Sequence, residues 1–413
     1  MTILEPRELT IDHSTAAVGA KHISVGSVHL DALRGAAAFA VFLNHTRALY
    51  FSSALSEYDL KSTEAPSTAA VGQTQSLGIA NLGSSEMFQG EIKLASEAVV
   101  IFFVLSGYLV GGSVLRAVRS CRWSWRSYLT KRMVRIYIVL LPALFLGVLL
   151  DRIGLHRATF GSVYLTPSGI QLVVTYELRE RLRLLTVFGN AVFLQGITVP
   201  NVGTNASIWS LANEVWYYIA FPFMVLASVN STKNWTRVMY VLIVVALLWF
   251  IGLRISMQFP VWVAGAAILY IPQKLSERQA RWGVAGSFFL LIVSMAGVRL
   301  LHFRPISADY TLAIVTALFL YFTIQVHAPA KDNFYRTVAG FASRISYSLY
   351  LFHLPIAVFL CSIVNNPWRL WKPTLPHIMA FMAVDATIVS IAYLLWRVFE
   401  ANTDGVRMRL FGK

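Results

Sequence analysis

Charge is scarce in this chain. Only 13% of its 413 residues are Asp, Glu, Lys or Arg, whereas 56% are hydrophobic, a balance that excludes an ordinary soluble domain and points to an integral membrane protein. Acidic residues are scarcer still, 20 against 35 Lys and Arg, for a formal net charge of +15. Such an excess can signal a nucleic-acid partner, yet these basic residues neither form a separate domain nor spread evenly, so no nucleic acid is expected. Cys121 and Cys361 lie on segments that offer no obvious pairing, which excludes a disulfide framework and a cysteine metal site, and no metal is expected. No internal repeat of fixed period appears, nor two halves with matching broken spans, which speaks against a transporter built from inverted repeats. The first 29 residues lack a short apolar core with a small-residue cleavage site. No removable signal peptide is therefore expected, and the first span serves as the anchor.

What is present is a series of mostly apolar windows, near 30–50, 95–114, 134–151, 207–227, 237–253, 256–271, 283–301, 309–327, 345–364 and 376–397. Each is long enough, or nearly so, for a bilayer core about 30 Å thick. The sequence thus predicts an all-α, polytopic integral membrane protein with about ten transmembrane helices around a polar intramembrane cavity. Between the second and third windows Arg116, Arg119, Arg122, Arg126, Lys131, Arg132 and Arg135 occur without an acid, and the C-terminal tail adds Arg407, Arg409 and Lys413. By the positive-inside tendency that loop is cytoplasmic, and an even span count places both termini inside. Residues 51–94 fit the opposite side, because Glu57, Asp59, Glu64, Glu86 and Glu91 outnumber Lys61 and Lys93. The expected organisation is a cytoplasmic segment 1–29, a transmembrane domain 30–400 and a basic cytoplasmic tail 401–413. Long extracytoplasmic loops are expected at about 51–94 and 152–206, the second apolar enough for a short re-entrant or interfacial helix.

Ionisable residues inside such windows are where chemistry is sought, since burying them in hydrocarbon costs at least a few kcal/mol each. Arg34 and His45 are eleven helical steps apart, which returns His45 to the face of Arg34 about 16 Å further along the axis. The bland reading pairs Arg34 with Asp31 and lets His45 bond a neighbouring helix. The chemical reading uses the near-neutral pKa of imidazole to take a proton from a hydroxyl nucleophile. Glu97 falls at the outer end of the second span. Ser106 lacks the strand-turn-helix context of a hydrolase nucleophile, so close packing or a narrow acyl passage beside Gly107 is preferred. Arg132 and Arg135 share a face at the inner surface and, with Arg34, suit bidentate binding of a phosphorylated carrier. Ser210 and Glu214 share a face of the fourth span, with Tyr217 in the same stretch. Glu214 is placed near the depth of His45, where a carboxylate would orient the ring. In the ninth span Tyr350 precedes His353. That histidine either lines the same cavity or satisfies backbone groups freed by Pro355.

The segments Leu30-Asp31-Ala32-Leu33-Arg34-Gly35 with Asn44-His45, Phe102 to Leu109, Arg132 with Arg135, Trp209-Ser210-Leu211 with Glu214, and Tyr347 to His353 resemble, in this order, the acyltransferase 3 family of membrane proteins. The resemblance covers roughly residues 28 to 365. It implies transfer of an acyl group, commonly acetyl, from cytoplasmic acyl-CoA to a hydroxyl of a glycan or glycoside of the cell envelope, at a bacterial inner membrane. It also implies that His45 is catalytic and that Arg34, Arg132 and Arg135 serve the acyl-CoA donor, with a softer carry-over for Glu214 and His353. Acyl-CoA, the acceptor glycan and membrane lipids are the implied partners, and no tightly bound cofactor is expected. The long outer loops suggest an elaborated acceptor site, and no hydrolase-like domain is expected after the last span.

On this reading the CoA phosphates rest on the inner arginines, His45 deprotonates the acceptor, and Glu214 or Glu97 steadies the imidazolium. Direct transfer and a covalent acyl intermediate on His45 or Ser106 both remain open. A second class is a proton-coupled transporter or polysaccharide exporter with His45, Glu214 and Arg34 as a proton path. A third is a structural subunit whose basic loop docks a cytoplasmic partner, for which His45→Ala would be harmless.

Overall fold

The computed structural model describes residues 25–51, 93–165, 178–229, 232–301, 303–326 and 334–411. Most of the expected N-terminal segment, the loop 52–92 with its acidic residues, positions 166–177 and Lys413 lie outside the described residues. Among the described residues the chain is helical, with only isolated bridges at Phe51 with Trp371 and Gln195 with Val199. This is the all-α polytopic architecture expected of so apolar a sequence.

Helix α1 (Val25–Tyr50) runs parallel to the buried α11 (Phe334–Val364). Gly35 meets Ala342, Phe42 meets the ring of His353, and Leu49 meets Cys361. A Cβ at position 35 would come within 2.6 Å of the Ala342 Cβ, so glycine is what allows this approach. Helix α2 (Lys93–Ser106) continues through a π-helical turn, Gly107–Gly111, into α3 (Gly112–Arg119). Helix α4 (Trp125–Arg157) starts at a Ser124 cap and also runs parallel to α11, the Tyr347 hydroxyl donating to the Ile136 carbonyl at 3.2 Å.

The long connection expected at 152–206 begins only after Arg157, because the apolar pattern of α4 carries through those residues. It holds two short helices, α5 (Leu178–Arg181) and α6 (Leu184–Ala191), the latter exposing Leu184, Leu185 and Phe188. Its end is pinned to α4: the Thr204 amide and hydroxyl donate to the buried Asp151 carboxylate at 2.7 and 2.8 Å, and the Tyr164 hydroxyl adds a third bond at 3.3 Å. Burial, reinforced by that carboxylate, pushes the Tyr164 phenol well above its usual range.

The remaining helices are α7 (Trp209–Ser228), α8 (Asn234–Ala267), α9 (Glu277–Leu300), α10 (Pro305–Thr323), α12 (Leu375–Val398) and α13 (Thr403–Phe411). Seven described helices, not ten, are long and apolar enough by composition to cross a bilayer. Polar and aromatic side chains along α1 and α7 keep both below the usual apolarity of a span, although they have 26 and 20 residues. The window 237–253 and most of 256–271 fall within the single element α8, in which Gly252 takes φ +79°. Before that glycine, Tyr240 meets Phe223 and Phe250 meets Trp216. After it, Gln258 bonds Asn213 and Trp262 meets Phe221. The order of partners along α7 reverses, so the chain folds back at Gly252. The returning half crosses α2 closely, since a Cβ on Gly107 or Gly265 would overlap the carbonyl of Trp262 or Val104 respectively.

Candidate active site

The site is built where α1, α2, α4, α7 and α11 face one another. A cavity of about 180 Å³ runs between them from a basic end to an aromatic end. Arg34 on α1 and Arg132 and Arg135 on α4 line the basic end. Arg34 donates to Asp31 at 3.4 Å and to Ser343 at 3.2 Å, and Ser343 donates to Asp31 at 2.9 Å, so the pairing within α1 exists and is shared with α11. Arg132 donates to the Ser113 hydroxyl at 3.0 Å, while Arg135 is exposed, with Glu214 and Glu400 as charged neighbours. Among the cavity-lining residues three guanidiniums thus face one carboxylate, Glu214.

Glu214 is not beside His45, where its position in the span had placed it. Its carboxylate accepts from the Tyr218 hydroxyl at 2.8 Å, that hydroxyl bonds Ser106 at 3.1 Å, and Arg132 and Arg135 are its charged neighbours. The reason is where α7 begins. The preceding segment dips into the bundle: the Asn205 amide donates to the Leu351 carbonyl at 2.9 Å, and Ser207 lies 3.4 Å from the His353 ring. The helix therefore starts at the histidine level, and four to seven further residues carry Glu214 toward the arginines. Ser210 and Glu214 do share a face, both lining the cavity, and Ser210 bonds the Tyr350 hydroxyl at 2.6 Å.

His45 and His353 form a pair one turn beyond the Tyr350 end of the cavity. Nδ1 of His45 is 2.9 Å from Nε2 of His353, with ring planes 5° apart. His353 is fully buried, whereas His45 is partly open and is not among the residues lining the cavity. The carbonyl that Pro355 deprives of its amide partner is that of Leu351, and Asn205 satisfies it, so His353 is not occupied with that repair.

Three other candidates are placed elsewhere or serve packing. Glu97 does not approach His45; it forms a two-point pair with Arg299 of α9, at 2.9 and 2.5 Å. Gly107 holds the α2 to α8 crossing. Tyr217 is turned away, its hydroxyl donating to the Ile255 carbonyl at 2.6 Å. Ser106 keeps a foot in both camps, lining the cavity while accepting from the Trp262 indole at 3.1 Å. Sequence reasoning missed Tyr218 and Ser343. The spacing of Tyr218 four residues after Glu214 was the available signal; nothing local marks Ser343, which matters only because α11 lies beside α1.

A family model described as an acyltransferase domain matches residues 28–397. An uncharacterized protein of Haemophilus influenzae is 27% identical over 163 residues, 38% of this chain and 58% of that protein, so the match spans a little over half of that relative's length. Nodulation protein 10 of Rhizobium leguminosarum bv. viciae is 21% identical over 352 residues, 78% of this chain and 86% of that protein. No solved structure matches. The family match takes in every helix of the site just described, and the chain belongs to the acyltransferase 3 family of membrane proteins.

Proposed function

We propose that this protein transfers an acyl group, acetyl in the first instance, from acyl-CoA across the membrane to a hydroxyl of a glycan such as an exopolysaccharide or lipopolysaccharide. The supporting observation is a cavity with three guanidiniums at one end and the His45–His353 pair one turn beyond the other. The cavity offers three guanidiniums to the CoA phosphates, and its aromatic end stops one turn short of His45. With the basic end at the cytoplasmic face of a bacterial inner membrane, and both termini on that side, the thin pantetheine arm enters past Ser106 and Tyr218. Phe102 and Tyr350 are in edge-to-face contact there, centroids 5.8 Å apart, and displacement of these rings brings the thioester to the histidines.

His45 then removes the proton of the acceptor hydroxyl as that oxygen attacks the thioester carbonyl. The carbon–sulfur bond breaks, and the imidazolium returns its proton to the departing thiolate. The products are an O-acyl ester and free CoA, with no net proton gained or lost. Glu214 acts on the donor side here, spacing and orienting Arg132 and Arg135 through charge.

The test compares O-acyl content of envelope and secreted glycans by mass spectrometry in cells lacking the protein and complemented with wild type or His45→Ala at matched expression. Wild type restores an ester that His45→Ala does not. Unchanged ester content in all three strains would sink the proposal.

A further inference from the structure

We infer that His353 is a positioning residue that decides which ring nitrogen of His45 is basic. The inference rests on the proposed role of His45 as the base. It starts from hydrogen counting at a fully buried ring. Nδ1 of His353 lies 3.0 Å from the Leu349 carbonyl and 3.0 Å from the Tyr350 carbonyl. Carbonyl oxygens only accept, so the hydrogen of this imidazole sits on Nδ1 and is shared between them. Nε2 of a neutral His353 then carries a lone pair, and that lone pair points at Nδ1 of His45, 2.9 Å away. Two lone pairs at that distance would repel; a hydrogen on His45 Nδ1 makes a bond instead. The basic nitrogen of His45 is thereby Nε2, on the far side of its ring from the buried pair.

The surroundings keep His353 from turning. The Phe42 ring meets it edge-on at 6.1 Å, and the Ser207 hydroxyl adds a contact to Nε2 at 3.4 Å. Asn205, by covering the Leu351 carbonyl, leaves the ring free for this task. When His45 Nε2 takes the hydroxyl proton, the positive ring gains strength in its Nδ1–H bond to His353, and two helix carbonyls behind His353 spread that charge by polarisation. His353 itself neither gains nor loses a proton. A neutral imidazole here does the orienting that a carboxylate does in other triads, without a permanent charge at this depth.

The experiment uses the full-length protein in lipid nanodiscs, labelled with 15N on histidine, the His45 signals being identified by their loss in His45→Ala. Wild-type His45 is expected to show a protonated Nδ1 and an unprotonated Nε2, and His353→Leu a mixture of both tautomers. In parallel, release of CoA from acetyl-CoA is followed with extracted envelope glycolipids as acceptor. His353→Leu should lower kcat roughly a hundredfold with the acetyl-CoA KM held within about twofold. His353→Gln, whose amide oxygen can accept from His45 Nδ1, should recover at least about tenfold of that loss. A wild-type His45 protonated on Nε2 overturns the inference, as do equal rates for the Leu and Gln variants. Full transfer by His45→Ala would instead overturn the role of His45 in the proposed function, and the wild-type spectrum still decides the tautomer if His353→Leu fails to fold.

Discussion

The arginine end and the histidine end of the site are built on different terms. At the basic end the groups are numerous, partly open and electrostatically mixed: Arg34 is shared between Asp31 and Ser343, Arg132 leans on Ser113, and Arg135 is exposed. At the histidine end the groups are few and closely partnered, His45 Nδ1 with His353 Nε2 and His353 Nδ1 with two backbone carbonyls. A loose set of long cations suits capture of a large, flexible, phosphorylated donor, because rearrangement there costs little. A locked pair suits chemistry, where small errors of orientation cost orders of magnitude in rate. Substitutions should therefore fall into two kinetic classes according to the end they touch.

The largest expected effect is at the histidine end. His45→Ala should reduce transfer by about a thousandfold or more while acetyl-CoA affinity stays within about threefold, read from single-turnover rates and donor binding. The double change Arg132→Ala with Arg135→Ala should do the reverse, raising the acetyl-CoA KM by about thirtyfold or more with little change in kcat, from the loss of charge-assisted phosphate bonds. Glu214→Gln sharpens the division further. If Glu214 belongs to the donor end, its loss should move the donor KM about tenfold and leave the pH profile of the chemical step where it is. A displaced profile would return Glu214 to the histidines. The smallest effect tests a position outside both ends. Glu97→Gln should cost about 2 kcal/mol of stability, since its partner Arg299 is partly exposed, and leave activity per folded molecule unchanged in a thermal-unfolding and activity comparison.

What the sequence shows of this site follows the reach of each physical signal. Arg34 and His45 lie on one helix, and helical geometry alone puts them on a common face at opposite depths. Arg132 and Arg135 are read in the same way from their spacing at the start of α4. The His45 to His353 bond crosses 308 positions and depends on α1 and α11 lying parallel in one register, which no local pattern announces. Glu214 lies away from the depth its position in the span suggests because α7 follows Asn205 and Ser207 inside the bundle and does not start at the membrane surface. The ten apolar windows and the seven helices apolar enough to span differ for a related reason: α1 and α7 line a polar interior and lose apolarity, and one glycine at position 252 reverses α8 so that two windows share one element.

The most direct measurement of the division between the two ends is acetyl-CoA binding to the purified protein in nanodiscs by calorimetry, with His45→Ala and the Arg132→Ala, Arg135→Ala double variant side by side. Wild-type affinity is expected for His45→Ala and a loss of about thirtyfold or more for the double variant. Weak binding by His45→Ala together with undiminished binding by the arginine variant would contradict it.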